Sequence, residues 1–315
     1  MVLLAEITSY MISICTILIL ILATTGNLLN LVTFLSKDFR TKSCIFFVIC
    51  SSVFDLLFIN IYLVFSLVID YFSDNRLQTN RAACKARSYF AICLAAMAST
   101  CVFLSTFDRC LSTSRNVNWR QLSSISFARR ISVVTMLFLL ISSGVCLIAY
   151  DVFDGMCTTM SGFATIAVVS YALVFVSFIP HGGMLICGVI TWIHMRRWRN
   201  RVDVGLGVIQ QTPASHRMNR QLLILIFVHA SMSMILEVQR DIVATYNLIT
   251  NSTKKSVERE QIENFITQIG LLLYYAKYGM AFYFNYACST LFRKTFRQSA
   301  QSVINKCLHL RCVQS

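Results

Sequence analysis

The chain reads as an all-α integral membrane protein, a seven-transmembrane helix bundle with a short amphipathic helix after the seventh. Three observations carry that reading. Of 315 residues, 56% are hydrophobic and only 13% charged, about half the charged share of a soluble domain, and the mean hydropathy is +0.65. Seven apolar stretches each supply the roughly 20 residues that a membrane-crossing helix needs. The lysines and arginines concentrate in alternate loops. Two prolines and eleven glycines, with no repeat and no low-complexity segment, leave little room for a linker, so residues 1–315 are expected to form one domain.

The first stretch runs from about Ser9 to Leu35, after an outer N-terminus of about residues 1–8. Its opening lacks a basic n-region and continues through Gly26 and Asn27 into more apolar sequence, so it is expected to be a retained helix and not a cleaved signal. The second stretch, about Cys44 to Val68, carries Asp55 near its middle. The third, Cys84 to Cys110, is almost uncharged until Asp108 and Arg109. From Cys84 to Arg109 it would span roughly 37 Å as a helix, enough for a hydrocarbon core of about 30 Å. The fourth lies near Ile131 to Tyr150, and the fifth near Phe163 to Ile193, with Pro180 inside it. The sixth, about Leu222 to Tyr246, is the weakest, because Glu237, Arg240 and Asp241 interrupt it. The seventh runs from about Phe265 to Cys288, and the amphipathic segment Phe292 to Arg297 opens a tail of about residues 290–315.

Nineteen lysines and arginines fall in the loops after the first, third and fifth stretches and in the tail, against eight on the opposite face. The richer face is expected to be cytoplasmic, which puts the N-terminus outside and the C-terminus inside a multi-pass plasma-membrane protein. The net charge of +14 is then read as orientation and attraction to lipid headgroups, and no nucleic-acid partner is expected. Asn251-Ser252-Thr253, the one glycosylation acceptor in the chain, falls on the outer face. Of thirteen cysteines only Cys84 and Cys157 stand at that face. They are placed to tie the loop after the fourth helix across the bundle mouth, or to remain two free thiols. Cys307 and Cys312, beyond the amphipathic segment, are candidates for palmitoylation or plain cytoplasmic thiols.

These residues, in this order, resemble the rhodopsin-like (class A) G-protein-coupled receptors. Gly26-Asn27 is similar to the family's first-helix pair, and Asp55 follows Asn27 by 28 residues, as the second-helix aspartate does. Cys84 and Arg109 fall at the spacing of the third-helix cysteine and the Asp-Arg-Tyr arginine, and Cys157 matches the second-loop cysteine. The run from Asp108 to Ser124 resembles divergent invertebrate members. The chain also departs from the family. Cys110 replaces the motif's tyrosine, no Cys-Trp-x-Pro stands in the sixth helix, and Phe-Tyr-Phe-Asn-Tyr ending on Tyr286 replaces Asn-Pro-x-x-Tyr.

The resemblance implies roles for particular residues. Asp108 and Arg109 would form the ion pair that opens toward a heterotrimeric G protein, with Asn27, Asp55 and Tyr286 in the activation network. Asp55 would hold sodium, or a polar network without it. With Ala91 where amine receptors carry an aspartate, an amine ligand is not expected. Arg87, Glu237, Arg240, Asp241, Lys277, Tyr274 and Tyr275 form a charged, aromatic mouth that suits a peptide or a polar chemosensory molecule. Lys277 is expected to pair with Glu237 or with an acidic ligand; retinal is not expected, because Arg87 stands where visual opsins hold a counterion. No catalytic constellation, cofactor motif or metal-ligand spacing is present in the sequence, so an enzyme is not expected. The expected function is ligand-driven activation of a G protein. The alternatives are a seven-helix channel or transporter, with Asp55, Glu237 and Lys277 along its path, and a receptor-like protein that has lost coupling.

Overall fold

The computed structural model describes residues 2–36, 39–72, 79–114, 116–153, 155–160, 162–202, 213–250 and 255–314. Helix α1 (Val2–Phe34) begins earlier than the sequence suggested, so residues 2–8 are helical. Its inward stripe, Ala23, Asn27, Asn30 and Phe34, recurs at helical spacing and is buried, while Ile14, Leu18, Ile21 and Leu22 face outward. In a bilayer that outward face meets lipid, so exposed leucine and isoleucine are at home there.

Helix α2 (Ser43–Phe58) passes through a π-helical turn at Ile59–Leu63 into α3 (Val64–Phe72). Helix α4 (Arg81–Ser112) is the axis of the bundle, with 67% of its most apolar window buried against 17–50% for the other apolar spans. Its start is fixed by Asn80, whose side chain accepts from the Ala82 and Ala83 amides. A short helix, α5 (Val117–Leu122), follows, and then the longer α6 (Ile125–Ser142), capped by Ser124. Helix α7 (Val145–Ala149) leads into a hairpin of β1 (Tyr150–Phe153) and β2 (Met156–Thr159), turned at Gly155, whose φ of 75° suits a residue without Cβ.

Helix α8 (Gly162–Ala172) joins α9 (Ile179–Val202) through a second π-helical turn, Leu173–Phe178. Pro180 explains the position of that turn: it lacks an N–H to donate backward, and its ring crowds the carbonyl four residues earlier. Helix α10 (Pro213–Thr250) is continuous through Glu237, Arg240 and Asp241, so the charges thought to weaken this stretch do not break it. Helix α11 (Val257–Cys288) lies against α1 and α10, and α12 (Thr290–Gln314) follows it. Phe292 of α12 is fully buried against Phe34 and Phe282. A helix therefore follows the seventh stretch, but with 25 residues it is not short.

Among the described residues, six helices are long and apolar enough to cross a membrane: Ile12–Phe34, Ser43–Val68, Arg81–Ser112, Ile125–Ala149, Gly162–Arg196 and Gln221–Thr250. Helix α11 is long enough at 32 residues but carries Glu258, Arg259, Glu260 and Glu263 in its first turns and Lys277 deeper in. Its contact with α1 is close. A Cβ on Gly279 would sit 2.6 Å from Ala23 Cα, and one on Gly26 would sit 2.8 Å from the Gly279 carbonyl. Small residues thus let two backbones touch, the packing that helices in lipid favour.

Candidate functional site

Polar chemistry in this apolar bundle gathers at three levels along α4. At its N-terminal end, Cys84 forms a disulfide with Cys157 of β2. Arg81, one turn earlier, binds Asp151 of β1 at 2.6 Å. Together they fasten the hairpin over this end of α4, and the guanidinium and the Val152 amide hold the Asp151 carboxyl below the usual carboxylate range.

At mid-depth, Glu237 of α10 and Lys277 of α11 form an ion pair, and Lys277 Nζ also donates to Ser99 Oγ of α4 at 3.0 Å. The second carboxylate oxygen of Glu237 accepts from Ser177 Oγ at 3.3 Å. His181 of α9 stands 3.4 Å from Glu237, with Ser233 Oγ at 3.3 Å and the Ser177 carbonyl at 2.8 Å from its ring nitrogens. Helices α9, α10 and α11 therefore meet on one carboxylate, and α4 joins them through Ser99 and Lys277. Tyr274 is buried beside it, with Arg240 stacked 4.2 Å from its ring centroid and paired with Asp241 at 3.3 Å. A small cavity lined by His229, Ser233, Leu236, Lys277, Met280 and Phe284 adjoins this cluster.

Of the residues expected to line a ligand pocket, Glu237, Lys277 and Tyr274 are thus brought together. Arg87 is placed apart, 5.3 Å from the Tyr62 ring centroid and 3.0 Å from Ser66 Oγ, and Ala91 is half-buried on α4. Ser99, Ser177, His181 and Ser233 were not singled out from sequence. The signal was there in Ser177/His181 and Ser233/Glu237, two pairs spaced four apart on single helix faces.

Asp55 is 5% exposed and accepts from Ser51 Oγ at 3.2 Å. Asn27 does not reach Asp55; it donates to the Tyr278 carbonyl at 2.7 Å and to the Ala23 carbonyl at 3.0 Å. Asn285 turns inward and donates to Asn30 at 3.3 Å, leaving its Oδ1 without a partner among the described residues. Tyr286, next in the chain, is partly buried and packs against Phe282 and Phe296. Among the described residues no group of three metal-binding side chains is placed to hold an ion.

At the C-terminal end of α4, Asp108 and Arg109 are both buried and pair at 3.1 Å. Asp108 Oδ1 also accepts from Ser43 Oγ of α2 at 2.7 Å and from Ser123 Oγ at 2.8 Å. Arg109 Nε is buried without a partner among the described residues. Asn251 lies outside the described residues, and so do the side chains of Cys307 and Cys312 on α12.

No known family model matches the chain, and no curated protein matches it.

Proposed function

We propose that this chain is a receptor of the rhodopsin-like kind, which binds an extracellular ligand at the disulfide end of α4 and admits a heterotrimeric G protein at the Arg109 end. The observation that carries the reading is the pairing of opposite ends on one buried helix. A covalent tie fixes a hairpin at Cys84, and a non-covalent ion pair closes the other end at Arg109. One end is built to stay and the other to open. In this reading α11 supplies the seventh span through about Phe265 to Cys288, with Tyr274, Tyr278 and Asn285 buried toward the bundle. The N-terminus is then outside the plasma membrane and the tail inside. The charged and aromatic residues Arg240, Asp241 and Tyr274 support a peptide or polar ligand. A ligand shifts the bundle only through its preference for the open state.

The test begins with topology, by epitope tags at both ends and antibody staining before and after permeabilisation. An outer N-terminal tag and an inner C-terminal tag are expected; two tags on one side would remove α11 from the membrane and the reading with it. Protein reconstituted with a panel of heterotrimeric G proteins is then expected to raise nucleotide exchange, more so in Asp108→Asn and not in Arg109→Ala.

A second reading, a transporter or channel, is favoured by the Glu237, Lys277 and His181 cluster at mid-depth, since intramembrane ionisable groups often mark ion paths. Current or flux without any G protein, abolished in Glu237→Gln, would select it.

A further inference from the structure

Three elements converge on the Asp108 carboxylate: α2 through Ser43, α4 through Arg109, and the turn between α5 and α6 through Ser123. The third is unlike the others. Helix α5 has no buried residue, Arg120 is exposed three positions before Ser123, and Ser124 is exposed where it caps α6. Within this exposed stretch Ser123 alone sends its hydroxyl inward, to a carboxylate that is 4% exposed.

We propose that Ser123 is a phosphorylation site for a serine kinase that reads Arg120, and that its hydrogen bond to Asp108 gates the modification. While Ser123 Oγ donates to Asp108, the hydroxyl is turned into the bundle and out of a kinase's reach. Once the contact opens, Ser123 Oγ attacks the γ-phosphorus of ATP. The bond from that phosphorus to the β–γ bridging oxygen breaks, ADP leaves, and the hydroxyl proton passes to the kinase's carboxylate base.

The modified residue does not return to its place. Oγ no longer has a proton to donate, and a phosphate of about −1.5 to −2 charge would face the Asp108 carboxylate at hydrogen-bond range in a site nearly closed to water. Arg109 is the cation within reach, and a phosphate that binds it takes the guanidinium from Asp108. By either route the docked arrangement is lost, so the phosphate records that this end of the bundle has opened. The proposal rests on the receptor reading only in placing this end on the ATP-containing side of the membrane.

The test uses full-length protein in detergent, a purified calmodulin-dependent protein kinase that prefers arginine three residues upstream, and magnesium ATP. Phosphate on Ser123 and Ser124 is followed by peptide mass spectrometry. Slow incorporation at Ser123 is expected in the wild type. It should be about ten- to a hundredfold faster in Asp108→Ala, as expected when a hydrogen bond to a charged group no longer holds the hydroxyl. Asp108→Asn keeps the side-chain volume in case the alanine variant misfolds, and should fall between. Arg120→Ala slows the reaction and Ser123→Ala removes it. Absence of phosphate at Ser123 in every variant, phosphate on Ser124 alone, or equal rates across the Asp108 series would overturn the proposal. Tag staining reads orientation independently, so failure of the receptor reading and failure of the site give different results.

Discussion

Glu237 and Lys277 form an ion pair in which only 1% and 7% of the side chains are exposed. Both charges lie at a depth where water does not compensate either one alone, so their value depends on each other and on Ser99, Ser177 and His181 around them.

Removing one partner strands the other. Lys277→Met or Glu237→Gln is expected to destabilise the folded protein by about 3–5 kcal/mol, whereas the double change to Met and Gln costs less than the sum, because no buried charge is left over. Thermal unfolding in detergent, arranged as a double-mutant cycle, measures the coupling. Additive effects would show that the two residues do not act as a pair.

Backbone contact between α1 and α11 predicts a second stability effect. Gly279→Ala places a methyl 2.6 Å from Ala23 Cα, where no flexible side chain can give way. A loss of about 1–3 kcal/mol is expected from overpacking. Gly162→Ala, whose Cβ would meet nothing within 4 Å, is the control and should leave the melting temperature within a degree or so of wild type.

The hairpin's covalent tie spans a sequence separation of 73 residues. Cys84→Ser with Cys157→Ser is expected to lower stability by about 2–4 kcal/mol. The loss should appear first as hydrogen exchange at Tyr150 to Thr159, because Arg81 and Asp151 then hold the hairpin without the sulfur bridge.

Glu263 gives a pH effect with a definite sign. Lys255, the Tyr246 hydroxyl and Arg259 all bind its carboxylate and hold it down to about 2 from an ordinary 4.5. The folded form therefore binds this proton less readily than the unfolded chain. Its stabilising contribution is complete above pH 4.5 and is lost as pH falls toward 2. Melting curves of wild type and Glu263→Gln should converge across that window. A constant gap at all pH values would mean that the carboxylate does not titrate as described.

Some of this arrangement is legible in the residues themselves. Asp108 and Arg109 announce the end of α4 because they are adjacent charges where an apolar run stops, and Cys84 and Cys157 stand out as the two thiols at one end of the bundle. The mid-depth cluster is harder to read. Ser99, Ser177 and Ser233 are small and unremarkable in apolar sequence, and hydrophobicity does not say which face of a fully apolar helix turns inward. Asn285 and Tyr286 show how narrow the margin is: neighbours on a helix point about 100° apart, and Asn285 bonds Asn30 while Tyr286 packs on the rings of Phe282 and Phe296. For α11 the difficulty is reversed. Its acidic first turns dilute its hydropathy, although its later turns are among the more buried in the protein.

The π-helical turn at Leu173–Phe178 has a consequence for the ancestry of this chain. Such a turn holds one residue more than the α-helix needs, and it rotates everything after it by about one residue's step, near 100°. His181 lies just beyond it and Ser177 within it, both on Glu237. Deleting one residue between Leu173 and Val176 would leave a sound, uninterrupted helix and yet swing His181 out toward the lipid. The charged centre could therefore be gained or lost by a single codon inserted or removed, with no change to any residue that forms it.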